Sequence, residues 1–255
     1  GIILSKAIWT VGSTYTFDKV SLSGIETGNG SYTPSVGDVL TLTSNALSAT
    51  YTYASTGFSS AAPLYWDSFE ASATSIPFAA FIEDKQATTG NNAPDHLFGT
   101  QSIAFGKALS INLKHAMAQV GITLKPGTGF SEAELATAVG TVKGMQQEYT
   151  ANKETGVITP ASPGSLKDVS TAKVTNQLVY DAIIVPQQVA AGTALATIAL
   201  NGQTYTLSAD VGGVNFIAGE RTKIEITVNK TSVSASFTLS AWEDGNSYQG
   251  GVEMD

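Results

Sequence analysis

Apolar and polar residues alternate along this chain in short bursts separated by Gly, Ser, Thr and Asn, the pattern of half-buried strands joined by turns. The longest mostly apolar run, Ile103 to Leu124, sits near the middle. Apolar side chains fall at Leu109, Ile111 and Leu113 and then, after a shift of phase, at Val120, Ile122 and Leu124. Each set has the period of a strand with one wet face. The phase breaks at Lys114-His115-Ala116-Met117, which predicts either a bulge or two separate strands. A helix over Lys107 to Gln119 competes, because Ala, Leu, Lys, Met and Gln favour it. The continuation through Gly121-Ile122-Thr123-Leu124 into Lys125-Pro126-Gly127, a strand and then a turn, favours strands.

The same reading predicts strands over Ile2 to Trp9, Tyr15 to Leu22 and Asp38 to Thr43, with a Gly/Ser/Thr-rich loop over Ile25 to Gly37. Leu40 and Leu42 share one face and are assigned to the core; Val39, Thr41 and Thr43 share the other. Tyr51 and Tyr53 lie on one face of Ala49 to Ala54. Pro77 within Ile76 to Phe81 marks an edge position or a strand start. Gln86 to Pro94 is a loop and the best candidate boundary, which divides the chain into 1–98 and 99–255. Ser131-x-x-Glu134 has the form of a capping box and predicts a short helix over Glu132 to Val139, although Val139 to Met145 can instead open a strand. Thr155 to Asp168 reads as a long polar connection. Gln177 to Val185 is a strand. Asn201-Gly202 between two β-like runs is a hairpin signal, because both turn residues must take positive φ. Lys223 to Val228 and Ser232 to Leu239 form another alternating pair.

Composition sharpens this to an all-β chain with at most one or two short helices. Charged residues are only 13 %, against about 25 % in typical domains, so uncharged polar residues supply the wet surface. The net charge of −8 and the single arginine, Arg221, disfavour nucleic acid and anionic membranes, which need clustered cations. No apolar run is long enough for a transmembrane helix. The chain opens on Gly1 without a Met or a signal peptide and is read as a trimmed or mature form.

Candidate chemistry is sparse. Without cysteine, a disulfide scaffold, a cysteine-ligated zinc and a thiol nucleophile are excluded. The two histidines, His96 and His115, lack metal-ligand spacing and read as packed or hydrogen-bonded rings. No G-x-S-x-G elbow occurs, and Thr56-Gly57-Phe58-Ser59-Ser60 is loop composition. The adjacent acids Glu83-Asp84 and Glu243-Asp244 would point to opposite strand faces and read as solvated ends. No catalytic, cofactor or metal residue is assigned, and calcium held by scattered loops stays open. The aromatics Trp66, Tyr65, Phe69, Phe78 and Phe81 read first as core; Tyr65 and Trp66 are the candidate ligand platform if a sugar is bound.

Four stretches resemble, in order, segments of the fimbrillin family of Bacteroidales, the major-fimbrium-like subunits of type V pili. They are Pro63-Leu64-Tyr65-Trp66 with Ile76-Pro77-Phe78-Ala79-Ala80-Phe81; Asp95-His96-Leu97-Phe98 leading to Leu113-Lys114-His115-Ala116-Met117-Ala118-Gln119-Val120; Ile183-Ile184-Val185-Pro186-Gln187; and Phe216-Ile217-Ala218-Gly219-Glu220-Arg221 through Val228, with Leu239-Ser240-Ala241-Trp242-Glu243-Asp244-Gly245. The matches span Pro63 to Gly245.

The resemblance implies two tandem transthyretin-like β-sandwich domains and a non-enzymatic subunit or adhesin of a cell-surface fimbria. Such a protein would be exported as a lipoprotein to the outer membrane. In that family a protease removes an N-terminal strand, and a terminal strand of the next subunit fills the groove by strand addition. Here Ile2, Ile3, Leu4 and Ile8 are the candidate plugging positions, with Val252 and Met254 in the tail as a possible donor. The expected partners are other fimbrial subunits, with glycans or proteins of host or bacterial surfaces as further candidates. A surface glycan-binding β-sandwich is the alternative reading. Family processing and lipidation use an Arg and a Cys near the N-terminus; this chain shows neither there, so the expectation is that both lie upstream of Gly1 or that Lys6 or Lys19 stands in as a weak substitute for the Arg.

Overall fold

A computed structural model describes residues 34–69, 75–83, 88–107, 109, 111, 113–162, 164–209, 212–229 and 233–241. The predicted strands at Ile2 to Trp9 and Tyr15 to Leu22 lie outside these residues.

The first sheet comprises β1 (Val39–Ser44), β2 (Leu47–Ala54), β3 (Gly57–Ser59), β4 (Ile76–Glu83), β5 (Leu97–Ile103) and β6 (Lys114–His115). The order across it is β3-β2-β1-β4-β5-β6. Alternation sets its two faces. Leu40, Leu42, Tyr51, Phe78, Ala80 and Ile82 point into one core, closed by Phe58, Leu64, Trp66, Leu109, Ile111 and Leu113. Tyr51 adds a polar tie, since its hydroxyl accepts from the Leu64 N–H at 2.8 Å. Pro77 is the second residue of β4, where a missing N–H disturbs the ladder least.

The remaining strands are β7 (Ala118–Pro126), β8 (Val139–Gln146), β9 (Tyr149–Ala151), β10 (Ile158–Pro160), β11 (Leu166–Ser170), β12 (Ala172–Lys173), β13 (Val179–Ile184), β14 (Gln187–Val189), β15 (Ala194–Leu200), β16 (Gln203–Ser208), β17 (Val214–Phe216), β18 (Glu220–Val228) and β19 (Val233–Ala241). A five-stranded sheet β12-β13-β7-β18-β19 packs on a four-stranded sheet β11-β8-β15-β16. Val120, Ile122, Ile224 and Ile226 meet Val142, Met145, Ala196 and Ile198 between them. Face-to-face sheets with alternate residues turned inward make a β-sandwich. At its centre β7 and β18 pair in parallel, although Gln119 and Arg221 of that register are far apart in sequence.

The central stretch resolves into two strands belonging to different sheets. β6 closes the first sheet, a bend at Ala116-Met117 breaks the phase, and β7 enters the second. Leu109, Ile111 and Leu113 are buried with the predicted period. The rival helix is absent among the described residues of this stretch.

The Asn201-Gly202 hairpin joins β15 to β16 with φ of 51° and 74°. The capping box forms in full, and its helix, α1 (Glu132–Leu135), is a single turn. It ends before the predicted Val139 because β-branched Thr137 and Val139 and then Gly140 disfavour a continuing helix, and Val139 opens the strand that follows. One expectation is corrected. The segment Thr155 to Asp168, read as a connection, contains β10 and most of β11; three- and five-residue strands with one buried residue each carry too little periodicity to be seen. The face of β1 opposite Leu40 and Leu42 is covered as well, leaving Thr41 and Thr43 only 7 % and 6 % exposed. The expected boundary residue 98 lies within β5, every residue of which pairs with β4.

Candidate functional site

The predicted strand-exchange positions Ile2, Ile3, Leu4, Ile8, Val252 and Met254 all lie outside the described residues. The aromatic pair is described, and its members part company. Tyr65 is exposed, whereas Trp66 is 1 % exposed. The Trp66 indole packs against Phe69, Phe78 and Phe105 with ring centroids 5.2–5.7 Å apart. Its ring face belongs to the core, and Tyr65 has no described aromatic neighbour with which to form a platform.

The contacts that join the first sheet to the sandwich are concentrated in a seam built from three pieces. The first is the hairpin of β9 and β10, paired from Tyr149↔Pro160 to Ala151↔Ile158. It reaches out from the sandwich and lies on the outer face of the first sheet. There Ile158, Tyr149 and Ala151 join Ala79, Phe81 and Phe98 in one apolar cluster that also holds Ala116, Met117 and Val185. Alternation explains it: Ala79, Phe81 and Phe98 are on the face of β4 and β5 that points away from the Leu40 core. At the hairpin tip Lys153 pairs with Glu83 and lies 5.9 Å from the Phe81 ring centroid. Gly156, with φ of 72°, sits against the Phe98 ring so closely that a Cβ would overlap it.

The second piece is the segment 88–96, most of which falls in the predicted loop Gln86 to Pro94. Asn92 Nδ2 donates to Ser170 O at 2.8 Å, and Asn92 Oδ1 accepts from the Ile183 N–H at 2.7 Å. Gly90 O accepts from the Ser170 N–H at 2.8 Å, and Ala93 N–H donates to Ile183 O at 2.9 Å. Gln147 Nε2 donates to Asn91 O at 2.7 Å. The turn chemistry of Gly90, Asn91 and Asn92 thus serves to dock a strap on the sandwich edges.

The third piece is the histidine pair. His96 Nε2 is 2.7 Å from the Tyr149 hydroxyl, and His115 Nδ1 is 2.6 Å from Asp95 Oδ1. Both rings are buried, at 7 % and 3 % exposure, as a packed, hydrogen-bonded reading of isolated histidines expects. Burial, followed by the Glu83 charge, pushes the Tyr149 hydroxyl above its ordinary pKa. Among the described residues no group of three His, Asp or Glu side chains is placed to hold a metal.

Outside the seam, the one arginine is structural. Arg221 is fully buried on β18, and its Nη1 donates to Gln119 Oε1 at 3.0 Å and to Asp181 Oδ1 at 2.7 Å. Burial pushes the Asp181 carboxyl up, and the Arg221 charge only partly offsets it. Gly121 on the intervening strand leaves room, since a Cβ there would overlap the guanidinium. Register fixes the constellation: Gly121 lies opposite Asp181 on β13, and Gln119 opposite Arg221. Lys153, Glu154 and Gly156 were not singled out from the sequence. The available signal was Asn152-x-x-x-Gly156, a turn former and a glycine between two short β-like pieces.

The comparisons agree with this architecture. A candidate cell adhesion protein of Bacteroides uniformis superimposes with a TM-score of 0.64 at 20 % identity, covering 88 % of this chain and 97 % of that one. A candidate cell adhesion protein of Bacteroides ovatus gives 0.58 at 15 % identity, covering 88 % and 96 %. At such identities the likeness is one of fold. In sequence, a candidate fimbrium subunit of Bacteroides uniformis, Fim1C, is 28 % identical over 137 residues, which are 52 % of this chain. The chain spans 45 % of that relative's length. The profile of the fimbrillin-like family matches residues 8–242, nearly the whole chain, and the chain therefore belongs to the fimbrillin-like family.

Proposed function

We propose that the chain is a structural subunit or adhesin of a cell-surface fimbria, without enzymatic activity, composed of two transthyretin-like β units and joined to other subunits by strand addition. The observation that carries this reading is the family match over residues 8–242. The sheet architecture supports it physically. Among the described residues the five-stranded sheet ends on the nine-residue β19, and a long terminal strand offers backbone donors and acceptors to an incoming one. Ile2, Ile3, Leu4 and Ile8 are the proposed plugging residues, and Val252 and Met254 belong to the proposed donor tail. Export as a lipoprotein and attachment at the outer membrane complete the reading.

Size-exclusion chromatography with light scattering, before and after limited trypsin digestion and N-terminal sequencing, tests it. Cleavage at Lys6 or Lys19 followed by growth of polymers is the expected result. A trimmed chain that stays monomeric with unchanged stability would overturn the assembly mechanism.

A further inference from the structure

The outer face of the first sheet has two halves, and the seam uses only one. The apolar half, Ala79, Phe81 and Phe98, lies under the hairpin of β9 and β10. The other half is a row of hydroxyls. Thr41 and Thr43 of β1 stand beside Ser48 of β2 on one side and face Thr100 and Ser102 of β5 across β4. The hairpin overhangs this row without filling the space. Two openings result, of about 620 Å³ between Thr41, Thr43, Ser48 and the hairpin, and about 610 Å³ between Thr43, Ala79 and Thr100. Thr43 and Glu154 line both, so the two openings adjoin at these residues and are described together as one cleft.

We propose that this cleft binds a short, neutral oligosaccharide. Each opening is in the size range of small-ligand sites, roughly 300–1,000 Å³. Thr41 and Thr43 form the floor of the cleft at 7 % and 6 % exposure. Among the described residues neither hydroxyl has a hydrogen-bond partner, although Ser44 beside them donates to Pro77 O. Unpartnered hydroxyls that reach the openings can both donate and accept, and a ligand rich in hydroxyls is a natural complement. Glu154 at the shared mouth is an acceptor-only group suited to sugar hydroxyl donors. Ala79, Ala151 and Val157 supply small apolar surfaces for the C–H faces of a sugar ring.

Other ligand classes fit less well. An anion lacks a counter-charge, because Lys153, the cation of the cleft, is paired with Glu83. An extended peptide would find no backbone edge on the floor of the cleft, since β1 and β4 are each paired on both sides. The hairpin is also preformed. Asn152 Oδ1 accepts from the N–H groups of Glu154 and Thr155, and Gly156 N–H donates to Asn152 O at 2.7 Å. A wall already ordered reduces the entropy lost on binding.

None of the described lining residues is among the proposed plugging or donor positions, so this site is tested separately from assembly by strand addition. The test uses the full chain, with chitotriose, maltotriose, cellotriose and mannotriose as neutral probes and sialyllactose as the acidic one, read by titration calorimetry. At least one neutral probe is expected to bind. Thr41→Val/Thr43→Val should weaken it by about tenfold or more, the effect of losing two hydrogen bonds, without lowering the melting temperature. Thr150→Trp, an exposed position on the hairpin, should abolish binding by filling the cleft, and it keeps the test decisive if the double variant folds poorly. Tyr65→Ala should have no effect. Absence of binding to every neutral probe, binding of sialyllactose alone, equal binding by both cleft variants, or loss confined to Tyr65→Ala would each overturn the proposal.

Discussion

Gly156→Ala tests whether the hairpin clamps the first sheet to the sandwich. The substitution meets two penalties. At φ of 72° an alanine is in the left-handed region, which costs about 1–2 kcal/mol. Its Cβ would also overlap Cδ1 and Cγ of Phe98 and lie 2.9 Å from Cε1. Phe98 is 9 % exposed and held among Phe81, Ile158 and Met117, so it has little room, and overpacking of this kind costs about 1–3 kcal/mol. Together they come to about 2–5 kcal/mol. Lifting the hairpin instead would uncover Ile158 and parts of Phe81 and Phe98. At about 1.5–3 kcal/mol per large apolar side chain, that escape is no easier. Urea denaturation should therefore show a loss of about 2–4 kcal/mol, with faster hydrogen exchange at the hairpin amides of Asn152 and Gly156. In a Phe98→Leu background the clash is relieved, and the same substitution should cost only the backbone part, about 1 kcal/mol. An equal loss in both backgrounds, or a loss below about 0.5 kcal/mol, would refute the contact as the reason for the glycine.

Two further outcomes follow from the ion pairs. Gly121→Ala should destabilise the sandwich by about 2–3 kcal/mol through its overlap with the Arg221 guanidinium; in an Arg221→Met background, measured by a double-mutant cycle in urea, most of that loss should disappear. Asp168 accepts from Lys143 and from the Gly144 N–H, and these hydrogen bonds hold its pKa below the ordinary carboxylate value. A depressed folded pKa gives stability that is present above the unfolded value and lost as pH falls through the folded one. Asp168→Asn should accordingly lower the melting temperature slightly at pH 7, by the equivalent of about 0.5 kcal/mol for so exposed a pair, and the difference should vanish in strong acid.

Local signals in the sequence were legible where one segment decides its own structure. Asn201-Gly202 dictates its hairpin because left-handed backbone at two successive positions suits these residues. Ser131 and Glu134 satisfy each other across a single turn, so the capping box needs no tertiary help. The phase break at Lys114 to Met117 marked a real event, the passage from one sheet to another. What stayed hidden is non-local. Nothing near Gln119 announces that it will lie opposite Arg221, and nothing near Gly121 announces a guanidinium. The family resemblance, carried by Asp95-His96-Leu97-Phe98 and Ile183 to Gln187, identified stretches that the structure places at the seam. Residue chemistry alone assigned them no such role.

The outer face of the first sheet shows what pattern alone leaves undecided about its covering. Alternation correctly separates Leu40 and Leu42 from Thr41 and Thr43, and a threonine row normally means a wet face. Yet the same face of β4 and β5 carries Ala79, Phe81 and Phe98. In sequence Phe81 falls in the continuous run Phe78 to Ile82, which masks the side to which each residue points. Folding separates them: Phe78, Ala80 and Ile82 join the inner core, and Ala79 and Phe81 turn outward. An exposed patch of that kind would invite association, and the hairpin of β9 and β10 closes it within the chain. Because that hairpin is rigidly tied at Asn152, Lys153 and Gly156, it overhangs the adjacent threonine row as well. The cleft with hydroxyls on its floor is thus a geometric consequence of closing the apolar half. Loosening the clamp should widen the cleft and alter saccharide binding and stability together.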